Sequence, residues 1–119
     1  MEQIYSLIDI IVKAQKKARQ ENDYITLMTN AEALLEQIPA LINYATDMES
    51  EYRKFEAGLI DEKDENGKQR TSSYCETKAK AVNYYKEWTR AKLMLEFIYD
   101  MVALSKKLAS SVDNEFNAS

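Results

Sequence analysis

The sequence predicts an all-α protein, and two observations support this fold class. Apolar residues recur at intervals of three and four along most of the 119-residue chain, which is the period of an amphipathic helix. Only two glycines and one proline are present, whereas folds built from strands and turns need more of both. No run of about 18 apolar residues occurs, so we also expect no membrane-spanning helix.

Two helices are predicted before the proline, over residues 2–20 and 24–37. Lys and Arg residues crowd the last turns of the first helix, where positive charge is favoured by the helix dipole. Asp23 stands where a side chain can cap the start of the second helix. Pro39 cannot donate a hydrogen bond inside a helix but fits a first turn, so a third helix is predicted to begin there.

The third helix is predicted over residues 39–60, and its apolar residues follow a heptad pattern. Intervals of four and three alternate along it, which is typical of a helix that packs against one partner helix. The pattern therefore predicts a coiled-coil-like pairing with a neighbouring helix. The residues in the pattern are Leu41, Ala45, Met48, Tyr52, Phe55 and Leu59.

A polar turn is predicted over residues 61–70, because this stretch has no apolar side chain and contains Asn66-Gly67, a tight-turn signal. Ser73 and Glu76 have the spacing of a capping box and predict the start of a fourth helix. Since neither glycine nor proline follows, this helix is predicted to run unbroken over residues 73–112.

The second half of the fourth helix carries two apolar seams, which indicates contacts on more than one side. We expect the first two helices to cover this half as a bundle, and the third helix to pair antiparallel with the first half as a hairpin arm. The prediction is one helical domain, 1–112, with a tail, 113–119. The first seam is Leu95, Ile98, Val102, Ser105, Ala109 and Val112, and the second seam is Met94, Phe97, Met101, Leu104 and Leu108.

The hairpin arm carries more aromatic surface than two helices are expected to bury between them. This surplus predicts that the arm contacts a second copy of the chain or a protein partner, so that the protein forms a homo-oligomer. The predicted contact residues are Met48, Tyr52, Phe55, Tyr85 and Trp88.

The residue types exclude most catalytic and metal chemistry. The chain has no histidine, the usual acid–base group at neutral pH, and one cysteine, Cys75. A disulfide within the chain and a cysteine- or histidine-based zinc site are therefore excluded. We expect a non-enzymatic protein without metal or cofactor, located in a reducing cytoplasm. Cys75 lies near a predicted helix start, where a thiol can be reactive, but we favour a packing role over a reactive one.

The distribution of charge predicts a second kind of contact. The net charge is −4, which argues against a basic nucleic-acid binder of the usual kind. Two segments are nevertheless basic, and one of them interleaves cations with aromatic rings, an arrangement that suits single-stranded nucleic acid or a nucleotide. Solvated surface charge is the alternative interpretation, and we favour it. The candidate contact residues are Lys13, Lys16, Lys17, Arg19, Lys80, Tyr84 and Arg90.

The second half of the chain resembles small helical proteins of tailed phages. A helix ending Tyr52-Arg53-Lys54-Phe55 is followed by the turn Asn66-Gly67-Lys68 and by a helix with Trp88 and Leu95-Glu96-Phe97. This layout is similar to the UvsY family of recombination mediators. The resemblance implies an all-helical fold, self-association and binding of single-stranded DNA.

These observations lead to one favoured function and two alternatives. The favoured function is a self-associating phage-type adaptor or mediator that acts in DNA recombination or replication. The first alternative is a phage inhibitor of a host defence system, which blocks a nuclease or sequesters a nucleotide signal; it is suggested by the separate acidic and basic faces. The second alternative is a virion or assembly component, for which helices and oligomerisation suffice.

Overall fold

The computed structural model describes the backbone of residues 1–118 and the side chains of residues 1–111. The all-α fold class with a long C-terminal helix is confirmed. The side chains of Val112, in the first seam, and of the predicted tail, 113–119, lie outside the described residues. The helices in the described part of the chain are α1 Glu2–Gln20, α2 Tyr24–Leu35, α3 Ile38–Asp61, α4 Ser72–Lys80 and α5 Asn83–Ala118.

The chain divides into two compact units, where the sequence analysis predicts a single domain. Unit 1 consists of residues 1–40 and 94–119, and unit 2 consists of residues 41–93. No glycine- or proline-rich linker marks either boundary, because α3 and α5 each continue through it. The amino-acid composition therefore does not predict where the chain divides into the two units.

Unit 1 is held together by the apolar faces of α1, α2 and the second part of α5. The helices α1 and α2 pack against each other, and Ile8, Leu27 and Leu34 are almost completely buried. The first seam of α5 also belongs to this core, since four of its five described residues are buried. These four are Ile98, Val102, Ser105 and Ala109.

A buried polar network links three helices of unit 1. The Gln15 side-chain amide, which is 3% exposed, donates to the backbone oxygen of Leu27 at 2.8 Å and to Ser105 Oγ at 2.6 Å. Ser105 Oγ in turn donates to the backbone oxygen of Met101 at 2.7 Å. Buried polar groups are costly unless they are paired, so this network fixes how α1, α2 and α5 align in unit 1.

Unit 2 contains the predicted polar turn, which lies between α3 and α4. Gly67 has φ +75°, a conformation that glycine adopts without steric cost, and its N–H donates to the backbone oxygen of Asp64 at 3.0 Å. The Asp64 carboxylate accepts from the backbone N–H groups of Asn66 and Lys68, both at 2.9 Å. The turn reverses the chain, as the antiparallel bridge between Lys63 and Gln69 shows.

The predicted unbroken helix 73–112 is wrong, because the chain breaks at Ala81 and Val82 between α4 and α5. Both residues donate backbone hydrogen bonds three residues back, the tighter pattern that ends a helix. Val82 is β-branched and Asn83 favours helix starts over helix interiors, which favours the break without glycine or proline.

The predicted capping box is also wrong. Thr71, and not Ser73, caps α4, since its side-chain oxygen accepts from the backbone N–H of Tyr74 at 3.1 Å. The Glu76 side chain does not reach back to the helix start; instead it accepts from Lys80 Nζ at 2.8 Å. The i, i+4 ion pair with Lys80 takes the carboxylate along the helix, towards the C-terminal end of α4.

The Asp23 cap predicted for α2 is present, and it makes the stability of unit 1 depend on pH. Asp23 accepts from the side-chain hydroxyl of Thr26 at 2.6 Å and from the backbone N–H of Thr26 at 3.1 Å, and these bonds lower the pKa of Asp23 from its ordinary value. A lowered folded pKa stabilises the fold above the unfolded pKa, and this stabilisation is lost as pH falls through the folded value.

We expect Asp23→Ala to lower Tm at neutral pH by about 3–6 °C, because α2 loses its cap. The difference from the unmodified chain should shrink as pH falls below about 4. Asp23→Asn is the control, since asparagine caps equally well but does not titrate. Thermal unfolding followed by circular dichroism at several pH values checks this, and a difference that stays constant across pH would contradict it.

Candidate aromatic–cation cleft in unit 2

A cleft of about 560 Å³ opens on unit 2, and three helices line it. We call it the aromatic–cation cleft, because its walls combine aromatic rings with Arg and Lys side chains. Its volume lies in the range of pockets that hold small organic ligands. The lining residues are Tyr52, Arg53, Glu56 and Ile60 of α3, Ser72, Cys75, Glu76 and Lys80 of α4, and Tyr85, Trp88, Thr89 and Lys92 of α5.

Three aromatic rings form the wall shared by α3 and α5. Tyr52 stacks on Trp88 with ring centroids 5.5 Å apart and lies 5.2 Å from Tyr85. Tyr85 and Trp88 meet edge to face at 6.0 Å, because a spacing of three residues places them on one helix face. The Tyr52 hydroxyl donates to the Glu56 carboxylate at 3.0 Å. Burial, followed by this hydrogen bond, raises the pKa of Tyr52.

Three cations lie against these rings. The Arg53 guanidinium lies 5.1 Å from the centroid of Tyr52 and 5.4 Å from that of Trp88. Lys92 Nζ is closer still, 4.6 Å from the Trp88 ring, and Lys80 Nζ is 5.9 Å from the ring of Tyr85. Such contacts stabilise a cation where it also remains available to an anionic ligand.

Two carboxylates partly offset the positive charge of the cleft. Glu56 lies 4.0 Å from Arg53, and Glu76 accepts a hydrogen bond from Lys80 at 2.8 Å. The hydrogen bond from Lys80, followed by its charge, lowers the pKa of Glu76, and the same contact raises the pKa of Lys80. Lys92 differs from the other two cations, since it lies against an aromatic ring and makes no ion pair within 4.0 Å with a carboxylate of the described residues.

Cys75 is 1% exposed and lies among the residues of α4 that line the cleft. A thiol so deeply buried reacts slowly with oxidants and alkylating agents in solution. Its position agrees with the packing role favoured in the sequence analysis.

The predicted contact residues of the arm have different surroundings. Tyr52 is 3% exposed, so it is not available as a direct contact for a partner, contrary to the prediction. The physical reason is that Tyr85 and Trp88 pack against it within the same chain. Trp88, Tyr85 and Met48 are half-buried, and Phe55 is exposed.

The predicted nucleic-acid residues are divided between the two units. Lys13, Lys16, Lys17 and Arg19 lie on α1 in unit 1, are exposed, and include one ion pair, between Lys13 and Asp9 at 2.9 Å. In unit 2, Lys80 lines the cleft, Tyr84 is exposed as expected, and Arg90 is exposed. The structure therefore brings only Lys80 of this set into the cleft.

Two cleft cations, Arg53 and Lys92, were not among the predicted contact residues. Lys92 follows Trp88 by four residues, a spacing that places both on one helix face and that was visible in the sequence. Arg53 adjoins Tyr52 in the chain, and adjacent helical residues do not share a face. Its approach to Trp88 depends on the packing of α3 against α5 within unit 2, which the sequence does not show.

No group of three or more acidic or cysteine side chains with metal-site geometry occurs among the described residues. Over the same part of the chain, none of the helices combines the length and the apolar content that a membrane crossing requires. Comparisons of this chain with protein-family models, with curated proteins and with solved structures found no match.

Proposed function

We propose that this protein is a non-enzymatic, self-associating mediator or adaptor that binds single-stranded nucleic acid in the aromatic–cation cleft. The observation that carries the proposal is the convergence of three aromatic rings and three cations on one cleft. Bases stack on aromatic rings while Lys and Arg bind the phosphates, and this combination tolerates any base sequence. The resemblance to the UvsY family implies the same ligand.

Lys92 and Trp88 have the central role in this proposal. One face of the Trp88 ring is stacked on Tyr52, and Lys92 Nζ lies 4.6 Å from the ring centroid. A lysine side chain is long and flexible, so an incoming base can take its place against the indole. The displaced ammonium group then binds the phosphate of the same nucleotide. Arg53 and Lys80 offer two further phosphate contacts at the walls.

The net charge of −4 disfavours the binding of nucleic acid outside locally basic sites such as the cleft. Binding confined to one cleft predicts a weak affinity with a small number of phosphate contacts. The affinity should therefore fall as the salt concentration rises. In a plot of the logarithm of the binding constant against the logarithm of the salt concentration, each of about two or three bound phosphates should contribute about −0.7 to the slope.

We expect Lys80→Glu to weaken the binding of a labelled single-stranded oligonucleotide at low salt by about tenfold, since it replaces a cation of the cleft with an anion beside Glu76. Fluorescence anisotropy over a range of salt concentrations measures the affinity. Lys63→Glu is the matched control, because Lys63 is an exposed cation of the polar turn that does not line the cleft.

Tyr84→Ala extends the test beyond the cleft and should weaken binding less than Lys80→Glu. Tyr84 is 40% exposed and lies beside Tyr85 at the start of α5, where it offers a stacking surface for a neighbouring base. Tyr99→Ala, at an exposed tyrosine of unit 1, is its control. Absence of binding by the unmodified chain at low salt would overturn the proposed function.

A second candidate function is sequestration of a nucleotide by an inhibitor of a host defence system. The specific observation that favours it is the volume of the cleft, about 560 Å³, which suits a single nucleotide. Mass spectrometry of the purified protein distinguishes the two functions. A co-purifying nucleotide, together with a mononucleotide affinity equal to that of an oligonucleotide, would favour sequestration.

A further inference from the structure

The second seam of α5 is an apolar helix face that unit 1 covers only in part. Its residues alternate by three and four over two heptads, which is the spacing of a coiled-coil seam. Four of the five described residues of the first seam are buried in unit 1, whereas no residue of the second seam is buried. Phe97 and Leu104 are each 40% exposed, and Met94, Met101 and Leu108 are half-buried.

The seam also borders a small hole into which a side chain from outside can insert. Met101, Leu104 and Leu108 line this hole of about 100 Å³ together with residues of α1 and α2. Knobs-into-holes packing needs such holes opposite the apolar side chains of a partner helix. A helix with the same seam therefore carries apolar side chains that could insert into this hole.

Two charged residues beside the second seam indicate which partner helix fits it. Asp100 and Lys107 are exposed, are seven residues apart, and so lie on the same edge of the seam with opposite signs. When two copies of α5 run antiparallel, with Met101 opposite Leu104, Asp100 of each copy lies beside Lys107 of the other. Two-fold symmetry forms this pair twice.

Parallel pairing lacks this complementarity. It places Ser105 of the second copy opposite Asp100, and Ser105 is buried in unit 1, where it is bonded to Gln15. We propose that a second copy of this chain docks antiparallel on the second seam, with Asp100–Lys107 pairs at its edge. The proposal rests on the self-association included in the proposed function, but it is independent of the cleft and of nucleic acid.

Charge reversals test the geometry. We expect Asp100→Lys alone, or Lys107→Asp alone, to raise the dimer dissociation constant at least about tenfold, because each places like charges together twice. An equal mixture of the two variants should restore the dimer, since lysines at both positions of one chain then face aspartates at both positions of the other. Light scattering coupled to size exclusion, over a concentration series, measures the assembly.

Lys106→Asp is the control, because this exposed neighbour lies off the seam and should leave the dimer unchanged. Leu104→Glu should abolish the dimer without altering the far-UV circular dichroism. A monomer at the highest concentration reached, or a dimer that none of these variants weakens, would overturn the proposal. Failure of the mixture to reassociate would overturn the antiparallel arrangement.

Oligonucleotide binding by the monomeric variants separates this proposal from the proposed function. The cleft lies in unit 2 and the second seam lies in unit 1, so a monomer that still binds DNA leaves the cleft intact. A dimer that binds no DNA would overturn the nucleic-acid role and support the docking surface.

Discussion

Replacing Tyr52 with alanine is expected to lower the free energy of unfolding by about 3–5 kcal/mol, the cost of removing a large buried aromatic side chain. Tyr52 is 3% exposed and is the only one of the three cleft rings that is fully buried. Its removal also eliminates the ring pairs with Tyr85 and Trp88, each worth about 0.5–1.5 kcal/mol. Since whole domains are stable by only about 5–15 kcal/mol, unit 2 should come close to unfolding.

Urea unfolding followed by the fluorescence of Trp88 measures this effect within unit 2, because Trp88 is the one tryptophan of the chain. Tyr52→Phe is the control: it keeps the ring, removes the hydrogen bond to Glu56, and should cost about 1 kcal/mol. Equal stability of Tyr52→Ala and Tyr52→Phe would show that the ring cluster does not hold unit 2 together.

The double variant Arg53→Glu/Lys92→Glu is expected to weaken oligonucleotide binding by about 100-fold or more at low salt. It reverses two of the three cations of the cleft, and both side chains are exposed, so their replacement leaves no cavity. The affinity should also depend less steeply on salt. The slope of the logarithm of the binding constant against the logarithm of the salt concentration should decrease in magnitude by about 0.7 for each phosphate that the cleft no longer binds.

Lys63→Glu/Lys68→Glu is the control for this double variant, since it makes the same change of net charge on exposed lysines of the polar turn. The control should bind nearly as well as the unmodified chain. If both double variants weaken binding equally, net charge and not the cleft determines the affinity.

The helices could be predicted from the sequence because their apolar periods are regular and their ends carry local signals. Asp23 caps α2 as expected, and Gly67 forms the turn as expected. The break at Val82 was missed because it depends on weak propensities that tertiary packing can override in either direction. Thr71 was missed as a cap because Ser73 matched the capping motif and competed for the same role.

The candidate site was harder to predict, because it depends on which of several equivalent faces becomes buried. The sequence shows two seams on α5 but does not show that Ile98 is buried and Phe97 exposed. Likewise, Tyr52 has the same heptad spacing as Phe55, yet only Tyr52 meets the rings of α5. Tyr84 could be placed correctly, since its neighbour Tyr85 already occupies the inward face.

The most direct test of the central claim is a titration of the protein with single-stranded oligonucleotide, followed by the emission of Trp88. A base that stacks in the aromatic–cation cleft must change the surroundings of this ring, against which Lys92 and Tyr52 lie. We predict saturable quenching at low salt that is reversed by added salt and is absent from Arg53→Glu/Lys92→Glu. Oligonucleotide binding, measured independently by anisotropy, that leaves the Trp88 emission unchanged would contradict the account.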